Sequence, residues 1–345
     1  MKKVAIIGHF GFGYEYLDGQ TVKTKVIAKE LLNHFGEKEV CCVDTHGGVK
    51  ATPKILLGCV SALKNHENVV TLPAHNGIKI IIPWLRFLNR IFKRKLHYAV
   101  IGGWLSEFLK DKNSLTKKLK KFDGIYVETT SMKKNLEDMG FENIVVLPNC
   151  KKLDILKEDE LVYPDFEPYK LCTFSRVMKE KGIEAAVNAV KAVNEKLGRT
   201  FYTLDIYGQV DGGQTDWFEN LKCNFPEYVK YGGLVPFDKS VEALKNYFAL
   251  LFPTEFYTEG IPGTFIDAYA AGVPVITALW MNSGDIFENG VQGFGYEFGK
   301  TEELERILVE IADNTNKVST LKVNCIQKAE MYLPEAVIKI LIQNF

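Results

Sequence analysis

The sequence lacks the features that define several large classes of protein. Its seven cysteines include no Cys-x-x-Cys pair, so the sequence predicts reduced thiols and neither a disulfide framework nor a zinc site. No apolar run approaches the roughly 18 residues that a membrane-spanning helix needs. The first apolar run, residues 4–7, ends at a glycine and is too short for a signal peptide. These absences predict a cytoplasmic protein.

The charges are balanced, and the length leaves room for two domains. The 43 Lys and Arg residues equal the 43 Asp and Glu residues in number, so the net charge indicates no partner. With 345 residues, 46% of them hydrophobic, the chain can bury a core in each of two domains. Short apolar runs alternate with amphipathic segments, which predicts an α/β fold with open, doubly wound parallel sheets. The charged stretch 151–168 is predicted to be the linker, and we place the domains at residues 1–163 and 164–333.

Residues 259–276 form the most informative stretch. They follow an apolar run, residues 247–252, that is typical of a buried strand. Pro262 and Gly263 then begin a short helix, and Gly272 ends it before the next strand. A helix that begins at the carboxyl end of a parallel strand offers free N–H groups and a partial positive charge, which favour a phosphate. Three small residues leave room for that phosphate: Gly260, Gly263 and Thr264.

The same stretch resembles the signature of the retaining glycosyltransferases of family 4, which have the GT-B fold. Their pattern is Glu-Gly-x-Pro, a second Glu after seven intervening residues, and then Ala-x-Gly-x-Pro-Val-Ile. Glu259 matches the first acid, and Asp267 stands in place of the second. The resemblance implies that Glu259 binds hydroxyls of the donor sugar and that Asp267 binds the ribose. Without it, both acids are equally well explained as loop and helix side chains that point into water.

A second motif lies at residues 175–182. It resembles the family's Gly-Arg-Leu-x-x-Glu-Lys-Gly, with Arg176 and Lys181 matched and Ser175 in place of the glycine. The resemblance implies that Arg176 and Lys181 hold the donor diphosphate. The chemistry agrees, because a guanidinium and an ammonium at the end of a strand would neutralise the charge that builds on a leaving diphosphate. We therefore predict three catalytic residues: Arg176, Lys181 and Glu259.

The remaining donor contacts are implied by the resemblance alone. Strand ends near residues 208 and 233 would line the nucleotide base, and the glycine-containing loop after the first strand would face the diphosphate. That loop has Gly-x-x-Gly-x-Gly spacing, which is not the dinucleotide-binding pattern. Residues 18–21 resemble the version in capsule and exopolysaccharide enzymes. The predicted donor-binding residues are Gly19, Gly208, Gly233, Leu234, Gly260, Ile261, Pro262, Gly263, Thr264 and Asp267.

The first half of the chain is predicted to face the acceptor. The strand near residues 98–101 is followed by Gly102, Gly103 and Trp104, which are predicted to line the acceptor side. Family members often have a catalytic His near this point. None matches here, and no motif supports His9 or His97 in that role.

A basic, amphipathic segment at residues 84–95 is the other feature of this half. It predicts peripheral contact with an anionic membrane or with a lipid-linked acceptor. A core helix with a solvated basic face explains the same pattern. No nucleic-acid motif accompanies the cations, so we predict no nucleic-acid partner.

The resemblance implies a retaining glycosyltransferase of capsular or exopolysaccharide type with two Rossmann-like domains that face a central cleft, and a last helix, residues 334–345, that crosses back to the first domain. Its donor would be a nucleoside-diphosphate sugar, with UDP favoured. Its acceptor would be a glycan or a lipid-linked saccharide in bacterial-type surface polysaccharide synthesis, at the inner face of a membrane. No DxD metal motif is present near the predicted site, so neither a metal nor a cofactor is predicted. Two alternatives remain, a sugar-nucleotide epimerase and a non-catalytic, membrane-associated partner of a polysaccharide assembly complex.

Overall fold

The computed structural model describes residues 1–14 and 19–345. It contains two six-stranded parallel sheets with helices packed on them. The chain divides into two compact units, Met1–Lys152 with Tyr332–Phe345 and Leu153–Met331. Across the described residues, no helix is both long enough and apolar enough to span a bilayer.

Twelve strands form the two sheets, six in each. The strands are β1 (Lys2–Gly8), β2 (Val40–Asp44), β3 (His66–Thr71), β4 (Lys95–Ala99), β5 (Gly124–Val127), β6 (Ile144–Val146), β7 (Tyr169–Phe174), β8 (Tyr202–Tyr207), β9 (Val229–Gly233), β10 (Ala249–Phe252), β11 (Val275–Leu279) and β12 (Gly293–Glu297).

The α-helices alternate with these strands through most of the chain. They are α1 (Gly19–Phe35), α2 (Gly48–Asn65), α3 (His75–Phe92), α4 (Leu105–Leu109), α5 (Asn113–Leu119), α6 (Thr130–Asp138), α7 (Ile183–Leu197), α8 (Thr215–Lys222), α9 (Ser240–Leu244), α10 (Gly263–Ala270), α11 (Glu302–Ala312), α12 (Asn316–Ser319), α13 (Lys322–Ala329) and α14 (Pro334–Ile342).

In the first unit the strand order is β2-β1-β3-β4-β5-β6, and both faces of the sheet are buried. Because successive side chains of a strand point to opposite faces, β1 serves two cores. Ala5 and Ile7 pack with the side chains of α2, α3 and α5. Val4 and Ile6 pack on the other face with α1 and α14. The unbroken apolar run of β1, residues 4–7, follows from this double burial.

In the second unit the strand order is β12-β11-β10-β7-β8-β9. Chain order therefore reverses between β7 and β10, as in Rossmann folds. Every pairing is parallel, so the loops that follow all six strands leave one edge of the sheet. The predicted α/β architecture of doubly wound parallel sheets is confirmed.

Helix α3 contains a proline, Pro83, and continues through it. A proline inside a helix costs about 3 kcal/mol, and here the buried side chains of one face offset that cost: Ile78, Ile81, Ile82, Leu85 and Leu88.

The division between the units differs from the predicted boundary at 163/164. Residues 153–163 lie with the second unit, because the Leu156 N–H donates to the Ala270 carbonyl at 2.9 Å. Leu161 also covers Gly272 so closely that a Cβ there would lie 2.2 Å from a Leu161 methyl carbon. The last helix, α14, packs on α1 in the first unit through Val337, Ile338 and Leu341.

Candidate functional site

The candidate site lies in the second unit, where chain order reverses. Strands β7 and β10 are neighbours there, and the loops that follow them, residues 175–182 and 253–262, leave the sheet side by side. Ligands of open α/β sheets bind at the carboxyl ends of strands where the order reverses. Both sequence motifs occupy these two loops, so the fold brings them together although they are about 80 residues apart in the chain.

A glycine allows the two loops to touch. Gly182 has a left-handed backbone with φ 69°, and a Cβ on it would lie 1.9 Å from the Pro253 carbonyl oxygen. No other residue fits there without displacement of one loop. The Glu255 N–H donates to the Glu180 carbonyl at 2.8 Å, which adds a direct hydrogen bond between the loops.

Lys181 and Glu259 form an ion pair across this contact. Both side chains are about 15% exposed, at 16% and 15%. The Lys181 ammonium also lies 5.3 Å from the ring centre of Phe252 and 5.0 Å from that of Phe256, within the range of a cation–π interaction. The pair is thus held in a partly dehydrated setting, where a charge interacts more strongly with an arriving anion than it would in water.

Arg176 lies in the same loop but is far more exposed. Its guanidinium is 3.7 Å from the Asp211 carboxylate, and half of the side chain is open to solvent. An exposed pair of this kind contributes only about 0–1 kcal/mol. Arg176 can therefore exchange Asp211 for a more highly charged anion at little cost. The backbone beside it is fixed, because Val177 forms a bridge with Val210 after β8.

Helix α10 begins shortly after Glu259 in the chain, and no side chain of the described residues caps its N-terminus. A Cβ built on Gly263 would meet no atom of residues 1–14 and 19–345 within 4 Å, so these residues leave space at the start of the helix. The hydroxyl of Thr264 is buried and has no hydrogen-bond partner within the described residues. Asp267 lies one turn further on and is 3% exposed. The uncapped N–H groups and the open space suit an anion, as the sequence predicts.

The loops after β8 and β9 contain the other predicted donor contacts. Gly208 approaches the Ser175 carbonyl so closely that a Cβ would lie 1.8 Å from its oxygen. The Gly208 N–H donates to the Gly233 carbonyl at 2.9 Å, and the Gly208 carbonyl accepts from the Tyr231 hydroxyl at 2.8 Å. These backbone groups already have partners, whereas Leu234 is 56% exposed and offers an apolar surface.

Sequence reasoning missed two residues that hold Glu259. The Glu259 carbonyl accepts a hydrogen bond from the Trp280 indole N–H at 3.1 Å and one from the Asn282 side chain at 2.5 Å. Both side chains are buried, at 2% and 0% exposure. The sequence feature that could have indicated them is their position just after the strand β11, which pairs with β10. Polar groups at that edge can meet the loop after β10.

The first unit contains the three predicted acceptor-side residues and also Gly19, which is predicted to bind the donor. Gly19 begins α1, and Gly102 has a left-handed backbone with φ 80°. Gly103 is buried, and the Trp104 ring stacks on His75 with 3.8 Å between the ring centres. The Trp104 indole N–H donates to the Ile101 carbonyl at 2.7 Å. Asp18, the first residue of the segment 18–21, lies outside the described residues.

A polar network that the sequence did not predict lies after β1 in the same unit. The His9 Nδ1 is 2.8 Å from the Thr21 hydroxyl, and its Nε2 is 3.2 Å from the His46 Nδ1. The Asp44 carboxylate accepts backbone N–H groups from the loop, including that of Phe10 at 2.9 Å. Burial raises the pKa of Asp44, but these hydrogen bonds outweigh burial and hold the pKa below its usual value.

The possible metal ligands and the histidines bear on two earlier predictions, metal independence and the epimerase alternative. Across residues 1–14 and 19–345, no three His, Cys, Asp or Glu side chains are grouped so that they can hold a metal ion. Metal independence itself stays a prediction. All six histidines precede residue 98, so the second unit has none. An epimerase that uses a histidine as its acid–base group would have to supply it from elsewhere in the chain.

A comparison with known protein families finds a similarity in the unit that contains this site. Residues 168–314 match the model of the family described as glycosyl transferases group 1. The match covers less than half of the chain. Both loop motifs and helix α10 lie within it.

One sequence relative and two solved structures show further similarity. The amylovoran biosynthesis glycosyltransferase AmsK of Erwinia amylovora is 23% identical over 155 residues, which cover 42% of this chain and 36% of AmsK. The matched stretch thus spans about a third of that relative. HepE of Anabaena, solved with UDP and glucose, is 15% identical with a TM-score of 0.74, and 99% of each chain is covered. The lipopolysaccharide outer core galactosyltransferase WaaB, solved in its apo form, is 15% identical with a TM-score of 0.69, and 99% of this chain and 98% of WaaB are covered.

These findings confirm the predicted fold, which is that of GT-B glycosyltransferases. The predicted enzyme class, glycosyltransferase, stays a prediction, with which the group 1 match and the sequence relative agree. Membership of family 4, retention, the acceptor and the roles of individual residues stay predictions.

Proposed function

We propose that the chain is a retaining glycosyltransferase of family 4 that uses a UDP-sugar. It transfers the sugar to a glycan or lipid-linked saccharide during bacterial-type surface polysaccharide synthesis. The named relatives support the general setting, since AmsK is a glycosyltransferase of amylovoran biosynthesis and HepE was solved with UDP and glucose.

One observation carries the proposal. Lys181, Glu259 and the uncapped start of α10 are brought together where strand order reverses. A diphosphate is bound by positive charge and by free N–H groups. The hydroxyls of a sugar need a hydrogen-bond acceptor beside these groups. This arrangement supplies all three at one edge of the sheet.

The ion pair suggests how the site responds to the donor. Before the donor binds, the Glu259 carboxylate holds the Lys181 ammonium in position. A diphosphate carries more negative charge than a carboxylate, so it takes Lys181 as a partner and frees Glu259 to accept hydrogen bonds from the donor sugar. Arg176 leaves Asp211 in the same way. Both cations then stabilise the charge that builds on the diphosphate as its bond to the sugar breaks.

We also propose which residues contact the acceptor and the ribose, that no metal takes part, and where the protein acts. Gly102, Gly103 and Trp104 contact the acceptor, and Asp267 contacts the ribose. The reaction needs no metal, because Arg176, Lys181 and the start of α10 do the electrostatic work of a divalent cation. The protein acts in the cytoplasm, at the inner face of a membrane.

Nucleotide release tests this function directly. UDP-, GDP- and ADP-sugars are incubated with the chain, with and without a synthetic lipid-diphosphate-linked saccharide, and with EDTA in parallel. Release of UDP only when the acceptor is present, unchanged by EDTA, supports the transferase. Interconversion of the donor without acceptor indicates an epimerase. Absence of nucleotide binding in a thermal-shift screen indicates a non-catalytic partner.

Retention is tested on the product of the same reaction. The proton NMR coupling constant of the new glycosidic linkage gives its anomeric configuration. An α-linked product from an α-linked UDP-sugar agrees with retention, whereas a β-linked product excludes it.

A further inference from the structure

The loop that follows β8 lies along the loop that contains both of the proposed diphosphate-binding cations. We call these segments the β8 loop, residues 208–214, and the β7 loop, residues 175–182. Val177 joins them at one end. Its N–H donates to the Gln209 carbonyl at 2.9 Å, and its carbonyl accepts from the Asp211 N–H at 3.0 Å. The two loops are therefore joined by backbone hydrogen bonds beside Arg176.

Gln214 joins the same two loops at the other end. Its side-chain Oε1 accepts from the Lys179 N–H at 2.8 Å, and its Nε2 donates to the Glu180 carboxylate at 2.9 Å. Only one orientation of the amide satisfies both contacts, because the other would turn its NH2 group toward a donor and its oxygen toward a carboxylate. Lys181 is the next residue of the chain. Gln214 thus holds the two residues that directly precede this lysine.

The backbone of Gln214 is itself held on both sides. Its N–H donates to the Asp211 carbonyl at 2.9 Å, and its carbonyl accepts from the Phe218 N–H at 3.1 Å. Gln214 directly precedes α8, and Phe218 of that helix is fully buried in the core of the second unit. The side-chain amide therefore extends from a helix start that is anchored in the core.

Glu180 connects this contact to the loop after β10, which contains Glu259. The Glu180 carboxylate accepts from Gln214, and the Glu180 carbonyl accepts from the Glu255 N–H at 2.8 Å. The hydrogen bond from Gln214 lowers the pKa of Glu180 more than any other group does. A hydrogen bond to an ionised acceptor is roughly twice as strong as one between neutral groups. The loops after β7, β8 and β10 thus meet at the residue before Lys181.

We propose that Gln214 is a positioning residue for Lys181, whose amide fixes the β7 loop so that the lysine ammonium can reach the donor diphosphate. The inference rests on the proposed function, because it takes Lys181 as a ligand of the diphosphate. When the diphosphate draws the ammonium away from Glu259, the backbone at Lys181 has to stay in place. A displacement of about 1 Å at such a site can cost about 100-fold in rate. Gln214 acts through the lysine and does not contact the donor.

A contact that only stabilises the surface is the competing explanation. Gln214 is half-buried, and its hydrogen bonds would contribute to stability in either case. The two explanations differ in one respect. If Gln214 acts through Lys181, the effect of its removal on donor binding depends on the Lys181 side chain, whereas a general loosening of the loop does not.

Calorimetric titration of UDP into the 345-residue chain tests the inference without an acceptor. Gln214→Met keeps the length of the side chain but loses both hydrogen bonds, and it should weaken UDP binding about tenfold. Gln327→Met is the matched control, since Gln327 is an exposed glutamine on α13 of the same unit. Its affinity should stay within about twofold of the wild type. Titration well below the melting temperature of each variant ensures that all of them are folded.

The same substitution in a Lys181→Ala background separates the two explanations. Once the ammonium is gone, Gln214→Met should change the UDP affinity by less than about twofold, because the two side chains act as one unit. If Gln214 only stabilises the loop, the loss of about tenfold should recur in this background.

Reversal of the hydrogen bond between Gln214 and Glu180 provides a rescue. Gln214→Glu places two carboxylates side by side and should weaken UDP binding at least about tenfold. The double variant Gln214→Glu, Glu180→Gln restores one donor and one acceptor at the wild-type net charge, and it should return to within about threefold of the wild type. Glu180→Gln alone measures the effect of the lost charge, and it still offers an oxygen acceptor to the Gln214 amide.

Three results would overturn the inference while the proposed function stands. They are wild-type UDP affinity in Gln214→Met, an equal loss with and without the Lys181 side chain, and no recovery in the double variant beyond the change caused by Glu180→Gln alone. Absence of UDP binding by the wild type, or unchanged binding by Lys181→Ala, would instead contradict the proposed function, and the positioning role with it.

Discussion

The Lys181 ammonium and the Glu259 carboxylate are paired across two loops although 78 residues separate them in the chain. The backbone on both sides of the pair is held in place, because Gly182 fits its loop against Pro253 and two buried side chains donate to the Glu259 backbone carbonyl. A site with its backbone already in place has only the two side chains to reorganise when a substrate binds. The first predictions follow from this pair.

Replacement of Lys181 by Ala should lower turnover at least about tenfold, equal to about 1.4 kcal/mol of barrier. The reason is the loss of one of the two cations proposed to stabilise the leaving diphosphate. The measurement is steady-state UDP release with saturating donor. Lys179→Ala is the matched control, since Lys179 lies in the same loop but is exposed, 5.9 Å from the Trp217 ring. Equal turnover in both variants would remove Lys181 from the site.

Arg176→Ala should also lower turnover at least about tenfold. The variant Asp211→Asn separates two explanations of that loss. If Arg176 only braces its loop through Asp211, both substitutions should have the same effect. If Arg176 binds the diphosphate, Asp211→Asn should keep most of the activity, because an exposed pair contributes only about 0–1 kcal/mol. The same UDP-release assay compares the two variants, and equal losses would contradict the proposed role.

Gly182→Ala should destabilise the second unit more than Gly198→Ala does. Both glycines flank α7 with left-handed backbones, φ 69° and φ 66°. A Cβ on Gly198 meets no atom within 4 Å, whereas one on Gly182 lies 1.9 Å from the Pro253 carbonyl oxygen. Alanine at Gly198 should therefore cost only the backbone strain of about 1 kcal/mol. Urea unfolding of the two variants measures the difference, and equal costs would show that the loop contact is not tight.

His97 should make the chain less stable in acid. Burial lowers the pKa of His97 from 6.5 to about 4; the charge of Asp123 acts to raise this pKa and that of Lys95 to lower it. As the pH falls from 6.5 to 4, the unfolded chain takes up this proton first, so stability is lost over that range, by up to about 3 kcal/mol. Unfolding of wild type and of His97→Asn should differ in pH slope within this window.

The control for His97 is His34→Asn, which removes an exposed imidazole from α1. It should reproduce the wild-type slope. If His97→Asn also has the wild-type slope, the loss of stability between pH 6.5 and 4 does not come from the buried His97 imidazole.

The parts of the site that could be predicted are those encoded locally. Arg176 and Lys181 belong to one run of eight residues, and Glu259 and Asp267 to another, so their spacing is visible in the sequence. Each run follows a predicted strand and precedes a helix, so the pattern also predicts that both runs lie at the same edge of the sheet. The predictions needed no knowledge of how the strands are ordered.

The parts that could not be predicted depend on that order. Trp280 and Asn282 reach Glu259 only because β11 lies beside β10, and no periodicity in the sequence gives this neighbour. The local cost of Pro83 to helix α3 is visible in the sequence, whereas the burial that offsets this cost is not. The exposure of Phe87 and Ile91 was hidden for the same reason: an apolar residue in a helix is expected to face the core.

A crystal structure of the chain grown with UDP tests whether Lys181 and the start of α10 bind the donor diphosphate. We expect diphosphate oxygens within hydrogen-bond distance of the Lys181 ammonium and of the backbone N–H groups at Gly263 and Thr264, with the Glu259 carboxylate released from Lys181. A diphosphate bound elsewhere, with the Lys181–Glu259 pair intact, would contradict it.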